Sequence, residues 1–584
     1  MLKDVAVASG IVSLCLSYVF FTYQQLFSPY AMLAILILPI FSLLFFLFSD
    51  TLGKKPIYLV FAIFLVLIIS FLSLAYIHVA PNAYWNVARV FLLVTLAISV
   101  SLLSIYFAGK VYSGHSYQDT LYALLFIILG SAFAYISMYG FSNIEWNGVD
   151  ELAANYYSAY LTLHGINPYT SSMQPIYDAR HVFPTVLLNG SYEDFYAYPA
   201  LSFLVYVPFV AMGIGSYSFM PFIALLIFFV ILAATILYIH SGRNLNLLIP
   251  LSVWLIACYS LAGVSNVFLV SIFVVLAYVF AKRSFLSGIF LGIAASVTQL
   301  AWFALPFFYI MTFNRKRGLG MQVFGTAVSF LVINVVFIIL SPSAFISDIF
   351  GILGTHSLVF FGQNIAQFFY AFYPVSHTYL STLSITVLLF SMLVYYLYSK
   401  SARLLIALAP IFIFFLSWRN ISIYGLAYIP LLLIVYYGKG NEGEADRLKD
   451  KRYIVYGILL LVIIFSIFAI YSHNAYTANK LILINKVYPI IGINNYGYSL
   501  DGFIVNVVNN AKRNETITFY IISRSPNNEG YVLGSLLPQL AAESARNYTI
   551  NFQLPLINNN TKILIFAFSN DYVASNVIKL SQLR

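Results

Sequence analysis

Charged residues are scarce in this chain. Only 8% of its 584 residues are Asp, Glu, Lys or Arg, and 61% are apolar, whereas ordinary globular domains carry roughly 25% charged residues. So few charges cannot cover the surfaces of several water-soluble domains, and the composition therefore excludes that class. Long apolar runs recur instead, which indicates a polytopic membrane protein.

Cysteine is nearly absent as well. Cys15 and Cys258 both lie inside apolar runs, which excludes a disulfide framework and a thiolate metal site. The net charge of +10 comes from basic residues scattered in short clusters between apolar runs. This pattern is typical of cytoplasmic loops and not of a nucleic-acid-binding stripe, so we expect no nucleic-acid partner.

The apolar runs predict an all-α polytopic membrane bundle. Runs long enough to cross a hydrocarbon core of ~30 Å lie at 5–23, 30–49, 57–79, 87–108 and 119–140. Further apolar runs at 217–240, 245–260, 266–281, 285–313, 319–340, 379–398, 404–417, 421–437 and 453–472 continue the membrane part. The basic clusters all fall on one side if 285–313 crosses twice and 196–213 does not cross. The positive-inside rule then predicts about fifteen transmembrane helices in the plasma membrane, with a cytoplasmic N-terminus.

Three parts of the chain follow from this reading. Residues 1–116 hold additional transmembrane helices, and residues 117–472 form a transmembrane module with a long outside loop at 141–216. From about 473 the sequence becomes rich in Asn, Ser and Thr, with β-patterned runs at 517–522, 548–554 and 562–568. We therefore predict a β-sandwich-like domain outside the membrane over residues 473–584.

Acidic residues are concentrated in the outside loop. Nine lie between positions 5 and 437, and six of these belong to residues 141–216. Transporters driven by protons or sodium usually keep ionisable groups at mid-membrane depth, so the distribution counts against a coupled transporter. Asp150 and Glu151 open a predicted helix that runs over 152–164 and stops at Gly165. Asp150 is thus a candidate helix N-cap and also a candidate general base.

The motifs of this loop resemble those of a known family. Asp150-Glu151 is followed by Tyr156-Tyr157, by Gly165-Ile-Asn-Pro-Tyr169 and by Tyr198-Pro199-Ala-Leu201. This order is similar to the first outside loop of the GT-C glycosyltransferases, polytopic enzymes that use a polyprenyl-phosphate-linked sugar. The resemblance covers roughly residues 117–437. It implies a GT-C-like bundle in which 196–213 is a helix beside the membrane.

The resemblance implies an inverting glycosyltransferase. Its partners are a polyprenyl-phosphate-sugar donor, a glycan, lipid or protein acceptor, and membrane lipids. Asp150 stands in the place of the base that deprotonates the acceptor hydroxyl, with Glu151 in reserve. The departing phosphate already carries negative charge, so it needs a stabilising cation more than an acid.

Six residues are candidates for substrate binding: Arg419, Arg180, His181, Tyr198, Gln299 and Asn364. Arg419 breaks the positive-inside trend, which favours an anion partner, although an interfacial arginine that reaches toward water is an alternative. Arg180 has the alternative of pairing with Asp178 or Glu193. Gln299 stands where the family commonly has Lys, which weakens the case for carrier binding there, and Asn364 has the alternative of a polar position in an interfacial helix.

No cofactor is expected from the sequence. The histidines lack the spacing of a metal site, and although some GT-C enzymes use a divalent cation, the chain offers no clear second set of ligands. Two other functions remain open. One is a translocator or scramblase for lipid-linked saccharides without catalytic activity, and the other is a scaffold whose β domain binds envelope components.

Overall fold

The computed structural model describes a large part of the chain. The described residues are 2–23, 29–55, 58–66, 150–180, 182, 184–185, 193–216, 236, 247, 250–251, 253–254, 267–313, 318–351, 361–362, 364–366, 369, 373, 375–417, 419–420, 422–438, 447–448, 450, 452–478, 482–494, 497–510, 512, 518–524, 544–554, 562–568 and 573–579. The predicted runs at 87–108 and 119–140 lie outside them.

Most of the described residues are helical. The helices are α1 (Leu2–Tyr23), α2 (Pro29–Leu47), α3 (Ser49–Lys54), α4 (Asp150–Leu163), α5 (Gln174–Arg180), α6 (Leu201–Leu204), α7 (Val207–Ala211), α8 (Val267–Val279), α9 (Ser284–Ala295), α10 (Leu305–Thr312), α11 (Gly318–Leu340), α12 (Pro342–Gly351), α13 (His377–Leu397), α14 (Leu405–Leu416), α15 (Ser422–Leu426), α16 (Ile429–Tyr437) and α17 (Arg452–Ala478). Two 3₁₀ turns lie at Pro168–Thr170 and Gln299–Phe303.

Three of the described helices are long and apolar enough to cross a membrane. The qualifying stretches are Gly318–Leu340, Thr378–Leu397 and Arg452–Ala475. A mostly helical, membrane-associated chain is thus confirmed by length and composition, while the total of about fifteen crossings stays a prediction. Other apolar helices in the described part of the chain, such as α9 and α14, have 12 residues each.

The N-terminal segment shares its hydrophobic core with later helices. Ile11 of α1, Phe268 of α8 and Leu431 of α16 are all fully buried in the same cluster of apolar side chains. Burial of apolar surface is the main favourable term in such packing. The described residues of the segment 1–116 therefore pack as part of the bundle and not as a separate body.

Helices α9 and α11 approach each other at backbone distance. A Cβ atom added at Gly288 of α9 would lie 2.1 Å from the carbonyl oxygen of Gln322 in α11, and one added at Gly292 would lie 2.3 Å from that of Thr326. Glycines spaced four apart let two helices meet this closely. The local sequence of α9 thus fixes which face of the helix meets α11.

The predicted run 285–313 breaks into two helices. Helix α9 ends at Ala295, the Thr298 hydroxyl accepts the Leu300 N–H at 3.4 Å, and a 3₁₀ turn leads into α10. The break that the topology requires is confirmed, although the two crossings themselves stay a prediction.

The predicted run 421–437 is helical, with a turn at residues 427–428. Helix α15 ends at Leu426 and α16 begins at Ile429. The Trp254 indole donates to the Leu426 carbonyl at 2.9 Å, and the Ser271 hydroxyl donates to the Ala427 carbonyl at 2.8 Å. Since a broken helix leaves carbonyls unsatisfied, these two donors stabilise the interruption.

Two short strands, β1 (Phe361–Gly362) and β2 (Arg419–Asn420), lie between the helices. The C-terminal region contains the other strands, as predicted. They are β3 (Ile482–Asn494), β4 (Gly497–Asn509), β5 (Thr518–Arg524), β6 (Ser544–Leu554), β7 (Lys562–Phe568) and β8 (Val573–Lys579). Two antiparallel sheets have the orders β3-β4-β6 and β5-β7-β8, and the ring of Phe519 in β5 lies 5.5 Å from that of Tyr548 in β6. The three predicted runs are confirmed as strands; a sandwich arrangement stays a prediction.

The junction with the last helix lies further along than predicted. Helix α17 continues to Ala478, beyond the predicted boundary at 473. The Ser472 hydroxyl accepts the Ser376 N–H at 3.0 Å, and the His473 ring stacks on Tyr373 at 3.8 Å. These contacts with the start of α13 stabilise a helical end that is too polar to be recognised from hydropathy.

Candidate active site

The described residues of 150–216 pack with α12 into one body, which we call the loop unit. Its centre is aromatic: the Tyr169 ring lies 4.9 Å from Phe345 of α12 and 5.7 Å from Tyr196, both edge-on. Phe203 and Phe337 pack edge-on against each other at 5.3 Å within the same buried cluster. Edge-to-face pairs add about 0.5–1.5 kcal/mol each beyond area burial. This core gives the first and second loops a common interior.

Helix α4 begins at Asp150, which confirms the predicted helix. It ends at Leu163, and Gly165 follows with φ of 72° in the left-handed region that ends many helices. The Asp150 carboxylate is held at both oxygens, because Oδ1 accepts the Glu151 N–H at 2.9 Å and Oδ2 accepts the Thr185 hydroxyl at 2.6 Å. Asp150 is therefore fixed in orientation at the helix start.

Two other acids of the loop serve helix α5. The Asp194 carboxylate accepts the Gln174 N–H at 3.0 Å and the Ser172 hydroxyl at 2.5 Å, in the manner of a helix cap. Asp178 accepts the Gln174 side-chain amide at 2.6 Å. These two carboxylates have local structural partners and are exposed at the surface. Glu145 lies outside the described residues.

The remaining acids act electrostatically on the hydroxyl of Tyr198. Burial of this hydroxyl, and next the negative charges of Glu151 and Glu193, raise the pKa of Tyr198 well above its ordinary value; Asp150 adds to the effect. A phenol with a raised pKa stays neutral and keeps its proton for donation. Tyr424, which belongs to α15, also acts on Tyr198. The loop unit and the helical bundle meet close by, where the Gln299 amide donates to the carbonyl of Ala197 at 2.5 Å.

Glu151 faces further buried tyrosines. Burial first, and the charge of Glu151 behind it, raise the pKa of Tyr206 and of Tyr196. The Tyr196 hydroxyl donates to Asn155 Oδ1 at 2.5 Å and bonds with the Ser202 hydroxyl at 2.5 Å. The Tyr196 and Tyr206 hydroxyls thus stay neutral inside the loop unit, and the Tyr196 hydroxyl serves its internal hydrogen bonding.

Arg180 contacts the end of the first loop. Its Nη2 donates to the carbonyls of Gly215 at 3.0 Å and Ser216 at 2.5 Å, and its guanidinium lies 5.8 Å from the Tyr156 ring centre. These bonds hold the last turn of α5 against the end of the loop. His181 lies outside the described residues, so its substrate-binding role and that of Arg180 stay predictions.

Gln299 joins the two loops. Its side-chain amide donates to the Ala197 carbonyl at 2.5 Å and to the Ile349 carbonyl at 3.0 Å. Ala197 precedes Tyr198, and Ile349 belongs to α12, so the side chain lies at the base of the loop unit. Because both amide hydrogens are used for backbone carbonyls, the observed role of Gln299 is structural, and its contact with substrate stays a prediction.

The segments of Asn364 and Arg419 are neighbours. Strand β1 (Phe361–Gly362) pairs in parallel with β2 (Arg419–Asn420), with Phe361 opposite Arg419. Asn364 follows β1 and is fully buried. The structure therefore brings together two candidate positions that are 55 residues apart in the sequence.

Asp348 is a candidate that the sequence analysis did not select. It is buried on α12, no described residue bonds to its Oδ2 atom, and burial raises the pKa of Asp348 to about 7. The signal that could have pointed to it is a single carboxylate in the apolar helix 342–351, where Ser343 and Ser347 are the other polar side chains. Buried carboxyls of this kind favour the protonated form.

Neither metal-binding groups nor similar proteins identify further functional residues. Among the described residues, no group of three His, Cys, Asp or Glu side chains is placed to hold a metal ion, and the expectation of a metal-independent reaction stays a prediction. No protein-family model, curated protein or solved structure matches the chain. The candidate functional residues are therefore those of the loop unit and its neighbours.

Proposed function

We propose that the protein is an inverting glycosyltransferase that moves a sugar from a polyprenyl-phosphate donor to a hydroxyl of a glycan, lipid or protein acceptor. The observation that carries this proposal is the Asp150 carboxylate at the start of α4, which is held at both oxygens. A hydroxyl is a poor nucleophile, and a positioned carboxylate accelerates its attack by roughly 10²–10⁴-fold. Asp150, fixed at both oxygens, is the base.

The donor phosphate needs positive charge and hydrogen-bond donors. Arg419 is proposed as the cation, since β2 places its backbone beside the second loop and Tyr424 of the following helix acts on Tyr198. A guanidinium binds phosphate through two parallel hydrogen bonds. The neutral Tyr198 hydroxyl supplies a further donor, which favours the departing oxyanion without adding charge to the free site.

The placement of charges along α16 supports one membrane orientation. At the C-terminal end of α16, the Lys3 ammonium lies 4.2 Å from the Tyr436 ring and 2.6 Å from Asp50. At the other end, the Tyr428 hydroxyl donates to the Leu300 carbonyl at 2.5 Å, and the adjacent Gln299 donates to the carbonyl of Ala197, the residue before Tyr198. Basic residues favour the cytoplasmic side. We therefore propose a cytoplasmic N-terminus, about fifteen crossings, and a loop unit and β-sandwich-like C-terminal domain on the outer face.

Transfer of label from a polyprenyl-phosphate sugar tests the proposal. Purified wild-type protein in lipid is given radiolabelled donors and a mixed glycan and lipid acceptor fraction, and Asp150→Asn and Glu151→Gln are compared with it. We expect Asp150→Asn to lower kcat at least about 100-fold. Asp178→Asn is the matched control, because Asp178 belongs to the same loop but bonds only to the exposed Gln174 amide among the described contacts.

Two outcomes contradict the proposal. Full activity in both Asp150→Asn and Glu151→Gln would overturn the proposed mechanism. Movement of the labelled donor across sealed vesicles, without any transferred product and without loss in either variant, would instead establish the translocator.

A further inference from the structure

Thr185 bonds to the carboxylate of Asp150, the residue proposed as general base. Its hydroxyl donates to Asp150 Oδ2 at 2.6 Å, across 35 positions of the sequence. A hydroxyl bond of this length to an ionised carboxylate belongs to the strong, charge-assisted class. The contact is therefore more than incidental proximity.

Thr185 is itself fixed by the loop around it. Its carbonyl accepts the Glu193 N–H at 2.8 Å, and the next residue, Asp194, accepts the Met173 N–H at 3.0 Å through its own carbonyl. The Asp194 carboxylate in turn caps α5. A continuous series of bonds thus connects the start of α5 to the hydroxyl that meets Asp150.

Without Thr185, the Asp150 carboxylate would not be fixed in orientation by its other bond. Oδ1 bonds to the adjacent Glu151 N–H, and one bond leaves the carboxylate free to rotate about it. With Thr185 on Oδ2, the plane of the group is defined, and each oxygen retains a lone pair for an acceptor hydroxyl. Displacement of a reacting group by 1 Å costs up to about 100-fold in rate.

Resting on the proposed function, we propose that Thr185 is a positioning residue that sets the plane of the Asp150 carboxylate for attack by the acceptor hydroxyl. It acts through Asp150 and takes no proton itself. The alcohol proton moves to Asp150 as the oxygen bonds to the anomeric carbon, and the bond from that carbon to the phosphate oxygen breaks with its electron pair leaving on the phosphate.

Hydroxyl-free and hydroxyl-bearing variants at position 185 test this role. Thr185→Val keeps the shape of the side chain without the donor, Thr185→Ala is a second hydroxyl-free variant, and Thr185→Ser keeps the donor. We expect the hydroxyl-free variants to lower kcat about 10-fold or more with KM within about twofold, and Thr185→Ser to retain most of the wild-type kcat. Thr170→Val is the control, since Thr170 is exposed on the same loop unit.

A double variant separates positioning from a general structural role. In the Asp150→Asn background, Thr185→Val is expected to lower kcat no further, because residues that act as one unit are not additive. An additional 10-fold loss there, or equal losses in Thr185→Val and Thr185→Ser, would overturn the inference.

The same experiment distinguishes this inference from the proposed function. If the wild-type protein transfers sugar and Asp150→Asn does not, while Thr185→Val and Thr185→Ala match the wild type, only the role of Thr185 fails. If the wild-type protein transfers no sugar, or Asp150→Asn is fully active, the proposed function or its mechanism fails first.

Discussion

The α9–α11 contact and the interior of the loop unit are both densely packed, but different atoms meet in them. Between the helices, backbone approaches backbone, and a Cβ at Gly288 would lie 2.1 Å from the Gln322 oxygen. In the loop unit, side-chain groups meet, as where the Tyr196 hydroxyl bonds to Asn155 and Ser202. The helix contact tolerates no larger side chain, whereas the interior of the loop unit depends on hydrogen-bond partners. The two regions therefore respond to different substitutions.

The largest expected effect is at the helix contact. Gly288→Ala adds one carbon where backbone leaves no room, and because backbone cannot yield as a flexible side chain does, we expect a loss of about 3 kcal/mol in stability. The measurement is the thermal unfolding of purified protein in detergent.

The matched substitution for that helix pair is Gly320→Ala. A Cβ at Gly320 of α11 would meet nothing within 4 Å, and alanine favours helix over glycine by up to about 1 kcal/mol. We expect equal or slightly higher stability. Equal losses at Gly288 and Gly320 would show that the close approach of α9 and α11 is not what limits side-chain size.

A smaller effect is expected from one hydroxyl of the loop unit. Tyr196→Phe leaves the ring in place but removes the donor to Asn155, whose side chain is fully buried. A buried polar group without its partner costs about 1–3 kcal/mol. Thermal unfolding should show this loss, whereas Tyr160→Phe, on an exposed ring of the same unit, should stay within about 0.5 kcal/mol. Unchanged stability in Tyr196→Phe would show that the Tyr196 hydroxyl does not stabilise the loop unit.

The last effect concerns Asp348 and is measured as the slope of stability against pH. Burial raises the pKa of Asp348 to about 7, above an unfolded value of about 3.9. The stability from its protonated form is complete below about pH 4 and is lost as pH rises through 7. Asp348 also acts on Tyr169, whose pKa is raised first by burial and then by the charges of Tyr196 and Asp348.

Asp348→Asn should remove this slope. Asparagine keeps the shape of the protonated carboxyl and does not ionise, so the midpoint of thermal unfolding should fall less between pH 5 and 8 than in the wild type. Parallel curves for the two proteins would show that the carboxyl has access to water in the folded state.

Local signals predicted local structure well. Helix α4 was expected from Asp150 at its start and Gly165 after its end, and three strands were expected from turn residues around alternating runs. Strand β3 was not predicted. Its sequence, Ile482–Asn494, comes soon after a helix, holds several adjacent apolar residues and includes Pro489. A pattern of that kind is not distinguishable from a helix or a loop by periodicity.

Contacts distant in sequence were beyond prediction. The break near Ala427 depends on donors from Trp254 and Ser271, which lie 172 and 156 positions from the carbonyls that they satisfy. The acids of the first loop stood out by number, but only tertiary structure separates Asp194, which caps a helix, from Asp150, which bonds to Thr185. The same carboxylate chemistry serves both purposes, and sequence spacing does not tell them apart.

The side-chain amide of Gln299 couples the positions of two loops. It holds one carbonyl from each of two loops, Ala197 from the first and Ile349 from the second. Neither loop can swing away from the bundle alone without losing a bond that the other retains. The two loops are therefore tied to the same turn between α9 and α10 through one side chain that belongs to neither of them.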